Sequence, residues 1–332
     1  MSHDREKMDR LVELKSVTKQ FHGPGMLSQK WGVTLAVDRV SFGIEKDTVF
    51  GLVGESGCGK TTLARALLYL DPPNSGEIRF DGTVLGNLRT RELRRFRRRM
   101  QIVFQDPNSA LNPKMNILHS LEEGLINLGT EKEARRRRIA ELLELVGISP
   151  SHMLRYPHEF SGGQKQRIVV ARALSMNPEF LVLDEPVSNL DVSIQAQIIN
   201  LLLDLKNEFS LTYLFISHDL HLVGYLSDRI AVMYQGRIVE QAPTDDLIRH
   251  PLHPYTIKLF SSVPGIKGRI LKQEQAAVGP AGQPGGPAAT TGCPYYEHCS
   301  RGDYACLQEE PELTDVGGGH RVACLKITGN TS

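Results

Sequence analysis

The sequence predicts an α/β fold: a strand–loop–helix core with an antiparallel β subdomain ahead of it, an α-helical subdomain inserted in it and a small cysteine-containing extension behind it. Three observations predict this. The glycine-rich run GESGCGKTT, Gly54 to Thr62, lies between a short β-branched and aromatic segment and a segment with apolar residues at helical spacing. Further along, strand-like and helix-like patterns alternate, as in a βαβ series. From about residue 115 to about residue 175 that alternation gives way to helical periodicity throughout.

Composition bounds the function. The 332 residues correspond to about two domains, and 40% apolar content suffices for a sizeable core. Lys and Arg total 39 against 38 Asp and Glu, a net charge of +1, so no global field draws the protein to nucleic acid or anionic lipid. The opening MSHDREKMDR has no apolar signal-peptide core, and no run approaches the ~20 apolar residues of a membrane helix. The expectation is a soluble cytosolic protein that can sit on a membrane partner. Five cysteines, one inside the glycine-rich run, are too few and too clustered for a disulfide framework.

Taken in order, Leu11 to Thr18 alternates apolar and polar residues and reads as a half-buried strand. Leu35 to Ile44 reads as a second strand, closed by the charged turn Glu45-Lys46-Asp47. Phe21-His22-Gly23-Pro24-Gly25 between them is a turn, followed by a longer loop with the only tryptophan, Trp31. The aromatic face of Phe21 suits a flat nucleobase, or plugs the sheet edge; both readings stand. Thr48 to Val53 is the strand that enters the glycine-rich run. There Gly54, Gly57 and Gly59 let the backbone curl, so that N–H groups point at phosphate oxygens ahead of a helix N-terminus. Lys60 brings a charge to the β- and γ-phosphates, and the Thr61 hydroxyl is placed for Mg²⁺. Glu55, Ser56, Cys58 and Thr62 complete this nucleoside triphosphate loop, with Cys58 as a space-filler.

Asp71 to Gly76 breaks the following helix, and Glu77 to Leu85 is hairpin-like. Arginines 89, 91, 94, 95, 97, 98 and 99, and later Arg135 to Arg138, form basic helical runs. Interspersed Glu92, Glu131, Glu133 and Glu141 and few aromatics favour a solvated face over a nucleic-acid surface. Met100 to Gln105 is a buried strand, and helices follow at Ile117 to Leu128, Glu131 to Val146 and Gln164 to Leu174, making a helical subdomain of about 106–178. The apolar strand Phe180 to Leu183 ends in Asp184 and Glu185, at the strand end where open α/β sheets collect ligands. Asp184 is suited to hold Mg²⁺ and Glu185 to act as general base on water, with Gln105 orienting the water or a metal-bound ligand. Helix 192–207, strand 212–217, helix 220–227, strand 229–233 and hairpin 235–240 complete the series, and the organised domain closes near Pro264. Residues 265–292 form a Gly/Pro/Ala-rich linker, and 293–332 a four-cysteine segment.

Ser161-Gly162-Gly163-Gln164 opens a helix with a second set of N–H groups for an anion. Two such helix starts in one chain suggest two ATP sites, each completed by two subunits. SGGQ, the phosphate loop, LVLDEP, the turn Ser188-Asn189-Leu190-Asp191 and His218 in ISHD, in this order and separation, resemble the motif set of an ATP-binding-cassette (ABC) ATPase with its P-loop, RecA-like core. The resemblance covers essentially the whole chain. VFQDPNSALNP, FSGGQKQRI, DEPVSNLDVSIQAQ, LTYLFISHDL and HPLHPYT are similar to the dipeptide, oligopeptide and nickel importer ATPases, most of all to the second of the two ATPase subunits such importers use.

That resemblance implies a head-to-tail nucleotide sandwich. Lys60, Thr61, Gln105, Asp184, Glu185 and His218 would act on one ATP, with Phe21 as adenine platform, Asp191 as the turn joining the sites, and Ser161, Gly162 and Gly163 covering the γ-phosphate on the opposing subunit. It implies as partners a second, paralogous ATPase, two permease subunits docking near residues 106–115, and through them an extracytoplasmic substrate-binding protein, at the cytoplasmic face of the membrane. Two departures are SNLD for SALD, where Asn189 bears on communication across the dimer, and Thr61-Thr62 for Ser-Thr, which keeps the metal-binding hydroxyl. Cys293, Cys299, Cys306 and Cys324 suit a [4Fe-4S] cluster or Zn²⁺, the family tails favouring the cluster, with unligated or disulfide-bonded thiols as the other reading. A soluble ABC ATPase of nucleic-acid, ribosome or iron–sulfur assembly type, and nickel or sugar as cargo, are the alternatives to peptide import.

Overall fold

In the computed structural model, residues 10–22, 33–261 and 292–328 are described. Trp31 and linker residues 265–291 lie outside them, as does Pro264. The chain runs β1 (Arg10–His22), β2 (Val33–Glu45), β3 (Val49–Val53), α1 (Lys60–Leu67), β4 (Ser75–Phe80), β5 (Thr83–Val84), α2 (Thr90–Arg99) and β6 (Met100–Val103). Helices α3 (Pro107–Ala110), α4 (Ile117–Asn127), α5 (Lys132–Leu145) and α6 (Gly162–Leu174) follow, then β7 (Phe180–Asp184), α7 (Val192–Phe209), β8 (Thr212–Ile216) and α8 (Leu220–Leu226). It closes with β9 (Arg229–Tyr234), β10 (Arg237–Pro243), α9 (Thr244–Arg249), α10 (Pro254–Ser261), α11 (Tyr304–Gln308), β11 (Thr314–Asp315), β12 (Arg321–Val322) and α12 (Leu325–Thr328). Among the described residues no helix is long and apolar enough to cross a membrane.

The chain forms two compact units, one made of the residues before Leu14, Gly43–Thr48 and Ile78–Phe215, the other of Leu14–Phe42, Val49–Glu77 and the residues from Ile216 on. In the first, β6 and β7 are parallel with Met100 opposite Phe180 and Val103 opposite Leu183. Parallel register brings their C-terminal ends out together, which sets Gln105 beside Asp184 and Glu185. All five residues of β7 are buried, as a strand covered on both faces requires. Helices α4, α5 and α6 pack together through Ile117, Leu121, Ile139, Leu142, Leu143 and Ile168. One arginine of the basic run is structural: Arg99 reaches Asp81 and Glu179 at 2.7 Å each and lies 4.9 Å over the Phe80 ring.

In the second unit β3 lies parallel to β9, with Phe50 opposite Arg229, and β10 runs antiparallel to β9 with a bulge between Ile238 and Glu240. The C-terminal segment joins this sheet: β12 pairs with β10, Glu240 opposite Val322, and β11 pairs with β12. Glu240 anchors the join from complete burial, accepting from the N–H groups of Leu252 (2.8 Å) and His253 (2.9 Å) and meeting His320 Nε2 at 2.7 Å. Also in this unit, β1 and β2 adjoin where Ser16 N–H donates to Ser41 Oγ. β1 extends through Phe21 and His22, the first two residues of the expected turn, and the other three lie outside the described residues.

Candidate functional site

The candidate residues divide between the two units, and each group has its own geometry. In the second unit, β3 delivers the chain into Gly54 and the loop returns as α1. Gly59 is left-handed, φ 109°, and a Cβ on it would stand 2.1 Å from the Ala36 carbonyl oxygen. Only glycine lets the loop pass there. Because Gly59 is also the N-cap of α1 and offers no side chain, the first-turn N–H groups have no side-chain cap. Lys60 is 6% exposed, and its ammonium donates to the carbonyls of Gly54 (2.8 Å) and Glu55 (2.9 Å). Uncapped N–H groups, a helix N-terminus and a held cation together make an anion corner.

Cys58 is buried behind the loop, its Sγ 3.7 Å from Lys60 Nζ; burial pushes the thiol up although the Lys60 charge pulls the other way. Ser56, Gly57 and Thr61 are exposed and Thr62 is half-buried. Phe21 is 43% exposed with Lys19 Nζ 5.4 Å from its ring centre. His218 is exposed at the step from β8 to α8, where Ser217 N–H donates to the Leu52 carbonyl and Asp219 caps α8 through the N–H groups of His221 and Leu222.

In the first unit, Gln105 Nε2 donates to Glu185 Oε2 (3.1 Å) and to Ser188 Oγ (3.2 Å), while Ser188 Oγ donates to the Glu185 carbonyl (3.2 Å). Glu185 is left-handed at φ 50°, an unusual backbone for a side chain of its size, held by this hydrogen-bonded knot. Asp184, just before it, is buried. Sequence reasoning named Ser188 only within the turn Ser188–Asp191 and missed its bonds to Gln105 and Glu185 as well as the Glu185 backbone.

Ser161 caps α6: its Oγ accepts from Gln164 N–H (3.3 Å), and Gln164 Oε1 accepts from Ser161 N–H (3.0 Å). That reciprocal pair engages two of the N–H groups expected to face an anion, so the corner's first-turn donors are those of Gly162 and Gly163. The corner packs on the next turn, where a Cβ on Gly163 would lie 2.6 Å from Ile194 Cγ2. Asp191 caps α7 there, accepting from Ile194 N–H (3.0 Å) and Ser193 Oγ (2.7 Å), and these bonds hold its carboxyl below the usual range.

The five cysteines complete the candidate residues. All five are free thiols, and among the described residues no group of three or more His, Cys, Asp or Glu side chains is arranged to hold a metal ion. An iron–sulfur or zinc site at Cys293, Cys299, Cys306 and Cys324 has no support in this geometry. Burial pushes the Cys293 thiol up to about 11, with Cys299, Cys306 and Cys324 adding to the effect, and Cys306 and Cys324 are raised as well.

The sequence matches the family model described as ABC transporter over residues 37–188, and that described as Oligopeptide/dipeptide transporter, C-terminal region, over residues 239–306. It is 44% identical over 322 residues to the oligopeptide transport ATP-binding protein AppF of Bacillus subtilis, covering 95% of this chain and 97% of that one. It is 48% identical over 292 residues to a putative peptide import ATP-binding protein of Brucella ovis, covering 87% and 91%. Among solved structures, the ATP-binding cassette MJ0796, in a dimeric post-hydrolysis state bound to ADP and Pi, superposes with TM-score 0.62 at 30% identity over 70% of this chain and 98% of that one. The cbiO1 protein of Clostridium perfringens gives 0.65 at 25% identity over 80% and 99%.

Proposed function

The chain belongs to the ABC transporter family of ATP-binding subunits, and from that premise we propose that it hydrolyses ATP to power peptide import through a membrane permease. The observation that carries this is the Lys60 corner, a buried ammonium beside an uncapped helix start reached through a left-handed glycine. A triphosphate is the anion such a corner fits.

The loop N–H groups from Gly57 to Thr62 and the Lys60 ammonium hold the phosphates, and Phe21 stacks on the adenine. Thr61, Gln105 and Asp184 are the oxygen donors for Mg²⁺, hard ligands that suit a hard cation, and the ion when bound offsets phosphate charge. Glu185, oriented by Gln105, takes a proton from water as that water's oxygen bonds to the γ-phosphorus and the bond from phosphorus to the β–γ bridging oxygen breaks, giving ADP and phosphate. His218 reads the γ-phosphate. Ser161, Gly162, Gly163 and Gln164 form the corner offered to the ATP of a second, paralogous ATPase, and Asp191 links the two sites. Two permease subunits, served by an extracytoplasmic binding protein, convert closure of this pair into transport at the cytoplasmic face of the membrane.

Affinity purification of the tagged chain from membranes, combined with ATP hydrolysis assays, tests the reading. The expected result is co-purification with a permease and a second ATPase, and loss of ATP binding on Lys60→Ala. Undiminished hydrolysis by Lys60→Ala, or recovery of the chain from membranes without a permease, overturns it.

A further inference from the structure

The hydroxyl of Tyr255 accepts a hydrogen bond at 3.0 Å from the backbone N–H of Glu55, in the glycine-rich loop 200 residues earlier. None of the chemistry above uses this contact. The same residue's carbonyl, on the other side, receives the Lys60 ammonium at 2.9 Å. Glu55 is therefore a backbone relay, with the tyrosine fixing its N–H and the catalytic-loop lysine bound to its oxygen.

Tyr255 is 1% exposed and belongs to a cluster of three buried rings. Tyr234, the last residue of β9, lies 4.6 Å from it centre to centre, Tyr295 lies 5.5 Å from it, and Tyr234 and Tyr295 meet edge to face at 5.2 Å. Tyr295 comes from the cysteine segment. Its neighbour Cys293 is tied down by an N–H bond to the Cys306 carbonyl at 2.8 Å, and His298 N–H donates to Tyr295's own carbonyl at 3.0 Å. A cavity of about 540 Å³ behind the loop is lined by Gly57 and Cys58 on one side and by Cys293 and Tyr296 on the other. The cysteine segment and the phosphate loop are thus joined by close ring packing and one directed hydrogen bond.

We propose that Tyr255 is a positioning residue for the phosphate loop, and that Tyr295 makes nucleotide affinity depend on how the C-terminal cysteine segment is folded. This rests on the reading that the loop holds ATP. Removing the Tyr255 hydroxyl leaves the Glu55 N–H without its acceptor and frees the peptide that holds Lys60. Removing the Tyr295 ring unseats Tyr255 from the far side.

The test measures equilibrium ATP affinity and steady-state hydrolysis in the full-length chain for wild type, Tyr255→Phe, Tyr295→Phe, Tyr295→Leu and the Tyr255→Phe/Tyr295→Leu double variant. Tyr255→Phe keeps the ring and is expected to weaken ATP binding about tenfold, raising KM while kcat at saturating ATP stays near wild type. Tyr295→Leu is expected to weaken binding about threefold, and Tyr295→Phe to restore it, because packing and not the hydroxyl is at issue. In the double variant the losses should fall short of multiplying, since both act through Glu55. Wild-type affinity in Tyr255→Phe, or losses that multiply in full, overturns the proposal. A wild-type chain that binds no ATP instead overturns the nucleotide reading itself.

Discussion

Gln105 and Glu185 are joined by a hydrogen bond of 3.1 Å from the amide of one to the carboxylate of the other, at the adjoining ends of two parallel strands. The amide fixes the carboxylate oxygen it meets and so orients the group. Glu185→Gln is expected to keep ATP binding and to trap a closed, ATP-bound dimer, with turnover lower by at least about a hundredfold. Hydrolysis and ATP-dependent dimer mass, measured on the same sample, check this; undiminished hydrolysis removes Glu185 from the base role.

Gly59 and Gly57 differ in a way that separates backbone strain from collision. Both have positive φ, but a Cβ at Gly57 meets nothing within 4 Å, whereas one at Gly59 would sit 2.1 Å from the Ala36 oxygen. Gly57→Ala should cost roughly 1–2 kcal/mol of stability from the left-handed backbone alone. Gly59→Ala must also push α1 away from β2, and is expected to abolish measurable ATP binding. Calorimetric titration with ATP and thermal melts of both variants decide the point, and equal effects would contradict it.

Much of this was legible in the sequence because it is local. The phosphate loop, the helix start at Ser161 and the strand ending in Asp184 and Glu185 each carry their own glycine, cap or apolar signal within about ten residues. What the sequence could not show is long-range pairing. Tyr255 finds Glu55 across 200 positions, and β12 adds to β10 with Glu240 opposite Val322, beside the buried Glu240–His320 pair. Neither contact leaves a periodic trace. Four cysteines within a short segment suggested a ligand set, but ligand geometry depends on how α11, β12 and α12 direct the thiols, and count and spacing do not contain that.

Ser161 does two jobs that one substitution can separate. As N-cap of α6 it is worth about 1 kcal/mol, and Ser161→Ala should lower stability by that much. If the corner also completes the pocket of an opposing subunit, turnover should fall far more than this loss explains, by about a hundredfold or more, with ATP binding to the isolated chain unchanged. Hydrolysis by the assembled pair, set beside denaturant melts of the single chain, distinguishes the roles. A turnover loss of only a few fold would confine Ser161 to capping.

His253 sets an acid limit on the tyrosine cluster. Burial pushes its imidazole down to about 3, so it stays neutral in the folded chain, where its Nδ1 accepts from Tyr255 N–H at 3.1 Å. In the unfolded chain the same ring protonates near 6.5. Above about pH 6.5 neither state carries the proton and the contribution is fully present. As pH falls from there toward 3 the unfolded chain binds a proton the folded chain refuses, so stability declines by about 1.4 kcal/mol per pH unit from this group. The Glu240 carboxylate, bonded to the His253 N–H, and His320 facing it are present in both wild type and variant, so the difference between them isolates the ring. In His253→Asn the side-chain oxygen can replace Nδ1 as acceptor without titrating. The variant is expected to be less stable than wild type at pH 7 through lost packing, with the gap narrowing by about 1.4 kcal/mol for each pH unit between 6 and 4. Urea melts across that range check it, and parallel stability curves would show that the imidazole is not held neutral.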